Sequence, residues 1–540
     1  MEELLKIKKL VIEGFTDEKW VEIVHGIDLT LERGEVLGLI GESGAGKSTI
    51  GMASMGYTRQ GCRIASGSIV FDGTELVEAP AQVKKSVRGR RIAYVAQSAA
   101  ASFNPAHRLI KQYAEAPVKH GLMSFAEAAQ NAVEIYENLL LPDPENIGYR
   151  YPHQVSGGQL QRAMVAMAMA CRPDIIVFDE PTTALDVTTQ IEVLAAIKRI
   201  TRKYNTAAIY ITHDLAVVAQ LADRIMVLRY GDLVEENNAR EMLADPKEEY
   251  TRKLLSVRTL REDKDLSVSE KDVILEAKNV SASYTGKEMV LEDIDLKVRR
   301  GRTVALVGES GSGKSTLARV ITGLLPPVSG KILYRGEELP PALKSRTRES
   351  LRIMQMIYQM PDTALNPRQK IRKIIGRPLS FYFDMNGKAR EDRILELLDM
   401  IELPDHYIER LPTELSGGEK QRICIARALA ANPEVIICDE VTSALDQLVA
   451  EGILELLQNL QNKLQVSYLF ITHDLATVKA ISDEIVVMLQ GRIVEQGVKK
   501  EILTPPHHEY TELLLSSVPE MDPDWLDNLL EERRENLEKV

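Results

Sequence analysis

Short apolar runs at wide intervals dominate the pattern of this 540-residue chain. Val36-Leu37-Gly38-Leu39-Ile40, Ile175-Ile176-Val177-Phe178 and Ala208-Ile209-Tyr210-Ile211 carry no charge and hardly a polar atom. Runs this short, apolar on both faces, predict strands of a parallel sheet covered on both sides. Val304-Ala305-Leu306-Val307, Val435-Ile436-Ile437-Cys438 and Tyr468-Leu469-Phe470-Ile471 repeat the set in the same order. Helix formers fill the intervals. They are densest between Gln97 and Ser156 and between Gln359 and Ser416, as in residues 125–141 and 389–400, which predicts a helical subdomain inserted into each α/β core. No apolar run reaches the about 18 residues of a membrane span. Residues 163–178 come nearest, but Arg172, Pro173 and Asp174 break them into a helix end, a turn and a buried strand.

A pattern that recurs whole is read first as a repeat. Residues 1–257 form one copy and 273–518 the other, each large enough for its own core. Residues 258–272 are charged, lack apolar periodicity and read as a solvated linker. Residues 519–540 place Trp525, Leu526, Leu529, Leu530 and Leu537 among many charges. This tail reads as an amphipathic helix lying on the body or binding a partner, or as a partly ordered terminus. The start, Met1-Glu2-Glu3-Leu4-Leu5-Lys6, has no basic segment leading into an apolar one, so no signal peptide is expected.

Composition narrows the classes. The net charge of −12, from 67 basic and 79 acidic residues, argues against a nucleic-acid footprint spread over the surface and leaves room for a local basic patch. Cys62, Cys171, Cys424 and Cys438 show no CxxC spacing and read as reduced, buried small residues.

The chemistry sits where strands end. Gly41-Glu42-Ser43-Gly44-Ala45-Gly46-Lys47-Ser48-Thr49 follows the first strand, and Gly308-Glu309-Ser310-Gly311-Ser312-Gly313-Lys314-Ser315-Thr316 follows its repeat. Both are G-x-x-x-x-G-K-S phosphate loops, in which glycines let backbone N–H groups converge on an anion at a helix N-terminus. Lys47 and Lys314 are the candidates for the β- and γ-phosphates, and Ser48 and Ser315 for Mg²⁺. Asp179 and Asp439 end their strands at the carboxyl edge of the sheet and are the expected Mg²⁺ partners. Glu180 and Glu440 come next, point elsewhere, and are the candidate general bases or water-orienting groups. Ser156-Gly157-Gly158-Gln159 and Ser416-Gly417-Gly418-Glu419 each open a helix with a serine cap and exposed backbone donors. Alone, such a box is a capping turn; between a phosphate loop and an Asp-Glu pair it is more specific.

With these motifs in this order, the chain resembles the ATP-binding subunits of ABC transporters, two domains fused in tandem. The resemblance covers residues 4 to about 517. It implies two P-loop nucleotide-binding domains, each a RecA-like α/β core with a helical subdomain, and ATP hydrolysis with Mg²⁺. On matched residues it implies that Gln97 and Gln359 touch Mg²⁺ and sense a membrane partner. It makes Ser156 to Gln159 and Ser416 to Glu419 signature motifs that bind nucleotide, with Ala184-Leu185-Asp186 and Ala444-Leu445-Asp446 as the loops that follow. His213 and His473 would contact the γ-phosphate. Tyr284 would stack on adenine, with Phe15, or else Trp20, as its counterpart; a core role is the competing reading for all three. It further implies head-to-tail pairing of the two domains, the first phosphate loop facing Ser416 and the second facing Ser156.

Narrower features resemble the peptide and nickel importer branch. Both loops read G-E-S-G-x-G-K-S-T, Asn104-Pro105 and Asn366-Pro367 follow the glutamines, and each domain closes on Glu-Tyr-Thr before a leucine pair. The implied role is a peripheral subunit at the cytoplasmic face of the inner membrane, on two integral permeases served by an external solute-binding protein. The clefts after Gln97 and Gln359 would accept permease helices. The alternative is a soluble tandem ATPase acting on ribosomes; the short linker and the lack of a cysteine-rich N-terminal domain speak against it. Three departures are expected to matter. The cysteine cluster for an iron–sulfur centre is missing from both repeats. Glu419 replaces the usual glutamine, adding a charge unfavourable to phosphate unless it points away. Val441 replaces the proline that stands at Pro181, altering the turn after the catalytic pair.

Overall fold

A computed structural model describes residues 3–16, 18–183, 185–256, 272–443 and 445–538. The linker, apart from Asp272, and Ala184 and Ala444 of the loops after the signature motifs lie outside the described residues. The chain divides into two compact units, one made of residues 1–257 with 519–540, the other of residues 258–518.

In the first unit a six-stranded sheet runs in the order Asp232–Asn238, Arg224–Arg229, Val36–Ile40, Ala207–Ile211, Ile175–Asp179, Ile92–Val95. All pairings are parallel except the outermost, between Asp232–Asn238 and Arg224–Arg229. The strands Ala207–Ile211 and Ile175–Asp179 are buried along their whole length, as their unbroken apolar runs require. A four-stranded antiparallel sheet, Lys19–Glu32, Glu3–Thr16, Cys62–Phe71, Thr74–Glu75, packs its apolar face on the same core. The helices Leu109–Lys119 and Phe125–Asn138 stand between Gln97 and Ser156. Ser124 and Glu127 form a reciprocal capping box that fixes the start of the second.

The second unit repeats the plan. Its six-stranded sheet runs Met354–Ile357, Val435–Asp439, Ser467–Ile471, Thr303–Val307, Glu484–Leu489, Arg492–Val498, and its helical subdomain holds Ile371–Phe383 and Gly387–Met400. The expected break within residues 163–178 falls between the helix Gly157–Met169 and the strand Ile175–Asp179.

Of the alternatives for the tail, the structure takes the one that lies on the body, and the body is the first unit. The helix Trp525–Glu538 buries Leu526 and Leu529. The Gln220 amide, itself buried, donates to the carbonyls of Glu520 at 2.6 Å and Asp522 at 3.0 Å, and accepts from the Leu526 N–H at 3.0 Å. Lys198 pairs with Asp527 at 3.1 Å, and Arg240 grips both oxygens of Asp524 at 2.6 and 3.0 Å. The Leu537 side chain lies outside the described residues.

Candidate functional site

Each phosphate loop wraps from the end of a central strand into a helix that starts at its lysine, Lys47–Ala53 or Lys314–Ile321. The residue before the helix, Gly46 or Gly313, has φ of 90° or 103°. That is the left-handed region, which glycine enters without the Cβ penalty. Lys47 Nζ folds over the loop and donates to the carbonyls of Gly41 at 2.7 Å and Glu42 at 2.8 Å. Lys314 Nζ donates to those of Gly308 and Glu309, both at 2.7 Å. Both lysines are buried. The Glu309 N–H is held at 2.8 Å by the hydroxyl of Tyr510, from the closing Glu-Tyr-Thr segment. That segment marks the branch in the sequence, and the fold makes it a brace for the loop.

The serine after each lysine meets the expected aspartate. Ser48 Oγ donates to Asp179 Oδ1 at 2.7 Å and Ser315 Oγ to Asp439 Oδ1 at 3.0 Å. Hydroxyl and carboxylate oxygens are the hard donors that Mg²⁺ takes, and it typically uses only one or two protein carboxylates beside substrate phosphates, so the pair fits that ion. In the first unit Tyr94 also donates, to Asp179 Oδ2. Burial pushes the Asp439 carboxyl above its ordinary value, against the pull of Ser315.

The next residue turns away from the strand. Glu180 and Glu440 have φ of 49° and 50°. For a residue with a Cβ this costs about 1–3 kcal/mol. It is held by hydrogen bonds from their N–H groups to the carbonyls of Ile211 and Ile471, both at 2.9 Å. The turn aims each carboxylate at a histidine: His213 Nδ1 lies 3.2 Å from Glu180 Oε1, and His473 Nδ1 3.5 Å from Glu440 Oε1. On the other oxygen, Gln97 Nε2 donates to Glu180 at 3.0 Å and Gln359 Nε2 to Glu440 at 2.6 Å. Burial works to raise both carboxyls. The facing histidine, with the loop lysine, outweighs it and holds them below the ordinary value. Burial likewise works to lower both imidazoles, and the glutamates hold them above it. The result is a partly buried glutamate–histidine pair within one residue of a metal-type aspartate, in each unit.

Val441 leaves the turn unchanged, contrary to the sequence expectation. Thr183 N donates to the Glu180 carbonyl at 3.3 Å and Ser443 N to that of Glu440 at 3.2 Å, while Val441 packs into the core. A hydrogen bond from residue i+3 to residue i does not need proline to close. What differs is a side chain: Thr183 Oγ1 donates to Glu180 Oε2 at 3.1 Å, whereas Ser443 Oγ donates to the Glu440 backbone carbonyl at 3.0 Å.

The signature boxes cap their helices reciprocally, Ser156 with Gln159 and Ser416 with Glu419. Glu419 turns its charge back to the cap: Oε2 accepts from Ser416 N at 2.7 Å and Oε1 from the Tyr407 hydroxyl at 2.5 Å. Burial works to raise this carboxyl, and Tyr407 and Ser416 hold it below its ordinary value. Gly158 and Gly418 are set by packing. A Cβ there would stand 2.0 Å from Thr189 Cγ2 or 2.4 Å from Val449 Cγ1. Asp186 and Asp446 cap the helices Val187–Tyr204 and Gln447–Leu464.

The three aromatic candidates stand outside the core, which removes the competing reading. Phe15 is 54% exposed, Trp20 39% and Tyr284 52%. Phe15 and Trp20 face each other across a hairpin at 5.2 Å, and the Tyr284 hydroxyl lies 3.2 Å from Thr316 Oγ1.

Clefts open near the helices after each glutamine. In the first unit one of about 850 Å³ is walled by Arg108, Lys111, Val118, Phe125 and Tyr149. In the second unit one of about 560 Å³ is walled by Leu324, Met354, Tyr358, Tyr382 and Arg427.

Two α/β units, each with a phosphate loop, an Asp-Glu strand end and a switch histidine, define a tandem ATPase, and the comparisons agree. The family described as "ABC transporter" matches residues 24–183 and 291–443, and "Oligopeptide/dipeptide transporter, C-terminal region" matches residues 494–540. The chain belongs to the ABC transporter family, as a fused ATP-binding subunit of the peptide and nickel importer branch, and is an ATPase. It is 35% identical over 565 aligned residues to "Glutathione import ATP-binding protein GsiA" of Salmonella choleraesuis (strain SC-B67), across 96% of this chain and 90% of that protein. The protein of the same name from Escherichia coli (strain K12) is 36% identical over 565 residues, with 96% and 90% covered. Among solved structures, cbiO1 from Clostridium perfringens is 28% identical, covering 43% of this chain and 91% of its own, with a TM-score of 0.40. The importer relatives speak for the transport reading and not for the ribosomal alternative. Among the described residues no helix is long and apolar enough to cross a membrane.

Proposed function

We propose that the chain binds two Mg–ATP, hydrolyses both, and drives uptake of a peptide or similarly sized polar solute. It does so as a peripheral subunit at the cytoplasmic face of the inner membrane, on two permeases fed by an external binding protein. The observation that carries the ATP chemistry is the twofold set of lysine, serine–aspartate pair and glutamate–histidine–glutamine trio at one sheet edge. Peptide uptake rests on the match to the oligopeptide/dipeptide transporter region and on the relatives named for import of glutathione, itself a small peptide.

The roles follow from position. Lys47 and Lys314 exchange the loop carbonyls for β- and γ-phosphate oxygens, while backbone N–H groups of the loops 41–49 and 308–316, other than that of Glu309, cradle the chain of phosphates. Ser48 with Asp179, and Ser315 with Asp439, hold Mg²⁺, with Gln97 and Gln359 nearby. When bound, Mg²⁺ neutralises the charge that develops between the β- and γ-phosphates. Glu180 and Glu440, kept ionised by their histidines, orient the attacking water and take its proton. His213 and His473 then face the γ-phosphate. Phe15 and Tyr284 offer exposed rings to adenine. Ser156 to Gln159, with Asp186, serve the nucleotide on Lys314, and Ser416 to Glu419, with Asp446, the one on Lys47. This head-to-tail pairing is supported by family resemblance.

ATP hydrolysis by the double variant Glu180→Gln/Glu440→Gln tests the chemistry. Losing a positioned base removes about 10²–10⁴ of rate and leaves nucleotide binding intact. Wild-type turnover in that variant overturns the assignment.

A further inference from the structure

The strand next to the catalytic one carries an aromatic hydroxyl in one unit and a thioether in the other. Ile92–Val95 pairs in parallel with Ile175–Asp179, with Tyr94 opposite Val177. Met354–Ile357 pairs in the same way with Val435–Asp439, with Met356 opposite Ile437. Both partners lie two residues before the aspartate, so Tyr94 and Met356 occupy the same place in the two sheets.

The consequence falls on the metal-type carboxylates. Asp179 accepts a hydroxyl on each oxygen, Ser48 on Oδ1 and Tyr94 on Oδ2, and is buried. Asp439 accepts one, from Ser315, and among the described residues no second side chain donates to it. A methionine has no proton to give.

We infer that Tyr94 is a positioning residue for metal uptake, and that the two ATP sites take up Mg²⁺ unequally because only the first has it. The inference rests on the proposed Mg²⁺ role of Ser48 and Asp179. To ligate the ion through its oxygen, Ser48 must turn its hydroxyl proton away from Asp179. Asp179 then keeps its rotamer through Tyr94. Asp439 loses its one hydroxyl donor at the same step and is free to swing. A partner that orients a metal's carboxylate is commonly worth 10- to 100-fold in metal affinity.

The test uses Mn²⁺ as the probe on the full chain with a non-hydrolysable ATP analogue, bound ion being read by electron paramagnetic resonance. Lys314→Ala confines analogue binding to the first site, and Lys47→Ala to the second. In the first-site background, Tyr94→Phe is expected to weaken Mn²⁺ binding about 10-fold. Analogue affinity in EDTA and the unfolding midpoint stay as they were. In the second-site background the same change does nothing. Equal Mn²⁺ affinity with and without the hydroxyl overturns the inference. So does a loss of analogue binding in EDTA, which marks a merely structural hydroxyl. A first site that binds the analogue but no Mn²⁺ before Tyr94 is touched overturns instead the metal assignment of Ser48 and Asp179.

Discussion

In the first unit Asp179 receives two hydroxyl hydrogen bonds and the Glu180 carboxylate a third, from Thr183. In the second unit Asp439 receives one, and Ser443 spends its hydroxyl on the backbone carbonyl of Glu440. The glutamate–histidine distances follow suit, 3.2 Å against 3.5 Å. The second unit keeps its polar additions on the signature helix instead, where Tyr407 holds Glu419. Two copies of one motif set have thus been supported differently. The motif residues fix which chemistry is possible; the neighbours they recruit fix how firmly each carboxylate is aimed. Both copies retain the full set, so under the proposed mechanism the difference is one of tuning.

The largest expected effect on stability separates the units through the tail, which belongs to the first alone. Leu526 is fully buried there, so Leu526→Ala should destabilise that unit by about 2–5 kcal/mol. Both tryptophans, Trp20 and Trp525, lie in the first unit. Tryptophan fluorescence in urea should therefore shift to a lower midpoint, while a far-ultraviolet signal for the whole chain keeps a transition at the original one. A single, jointly shifted transition would break the division into separately stable units.

A smaller effect sharpens the comparison of the signature helices. Tyr407→Phe removes a donor that helps hold the Glu419 carboxyl below its ordinary value. A group lowered in this way contributes stability above its unfolded value, about 4.3, and loses it as pH falls through the folded one. Wild type and variant should converge in acid and part by less than about 1 kcal/mol near neutrality, since the pair is solvent-screened. Denaturation at a series of pH values reads this directly. A gap that grows in acid would contradict it.

Much of this was legible in the chain. The repeat, the phosphate loops and the Asp-Glu strand ends are local, because phosphate binding and strand termination act over a few residues. The supporting groups are not. Tyr94 and Asp179 meet across a parallel pairing, Tyr407 and Glu419 across a turn, Tyr510 and Glu309 across the unit; each tyrosine looks like any other until the register is known. Thr183 was near enough to see, three residues past Glu180, but spacing does not tell its hydroxyl's target from that of Ser443. The sequence overstates the effect of Val441, because a turn closed by its own backbone hydrogen bond tolerates loss of the proline. For the tail, amphipathicity allows a helix beside a partly ordered terminus and does not tell the unit it covers, which depends on Gln220, Arg240 and Lys198, some 300 residues away in sequence.

The central claim is that both ATP sites work and differ only in degree. Steady-state ATP hydrolysis by Glu180→Gln and Glu440→Gln, made singly, tests it most directly. The account predicts that each substitution lowers turnover strongly, with unequal residual rates. If Glu180→Gln abolishes hydrolysis while Glu440→Gln leaves it untouched, the second set is a regulatory nucleotide site and the claim is wrong.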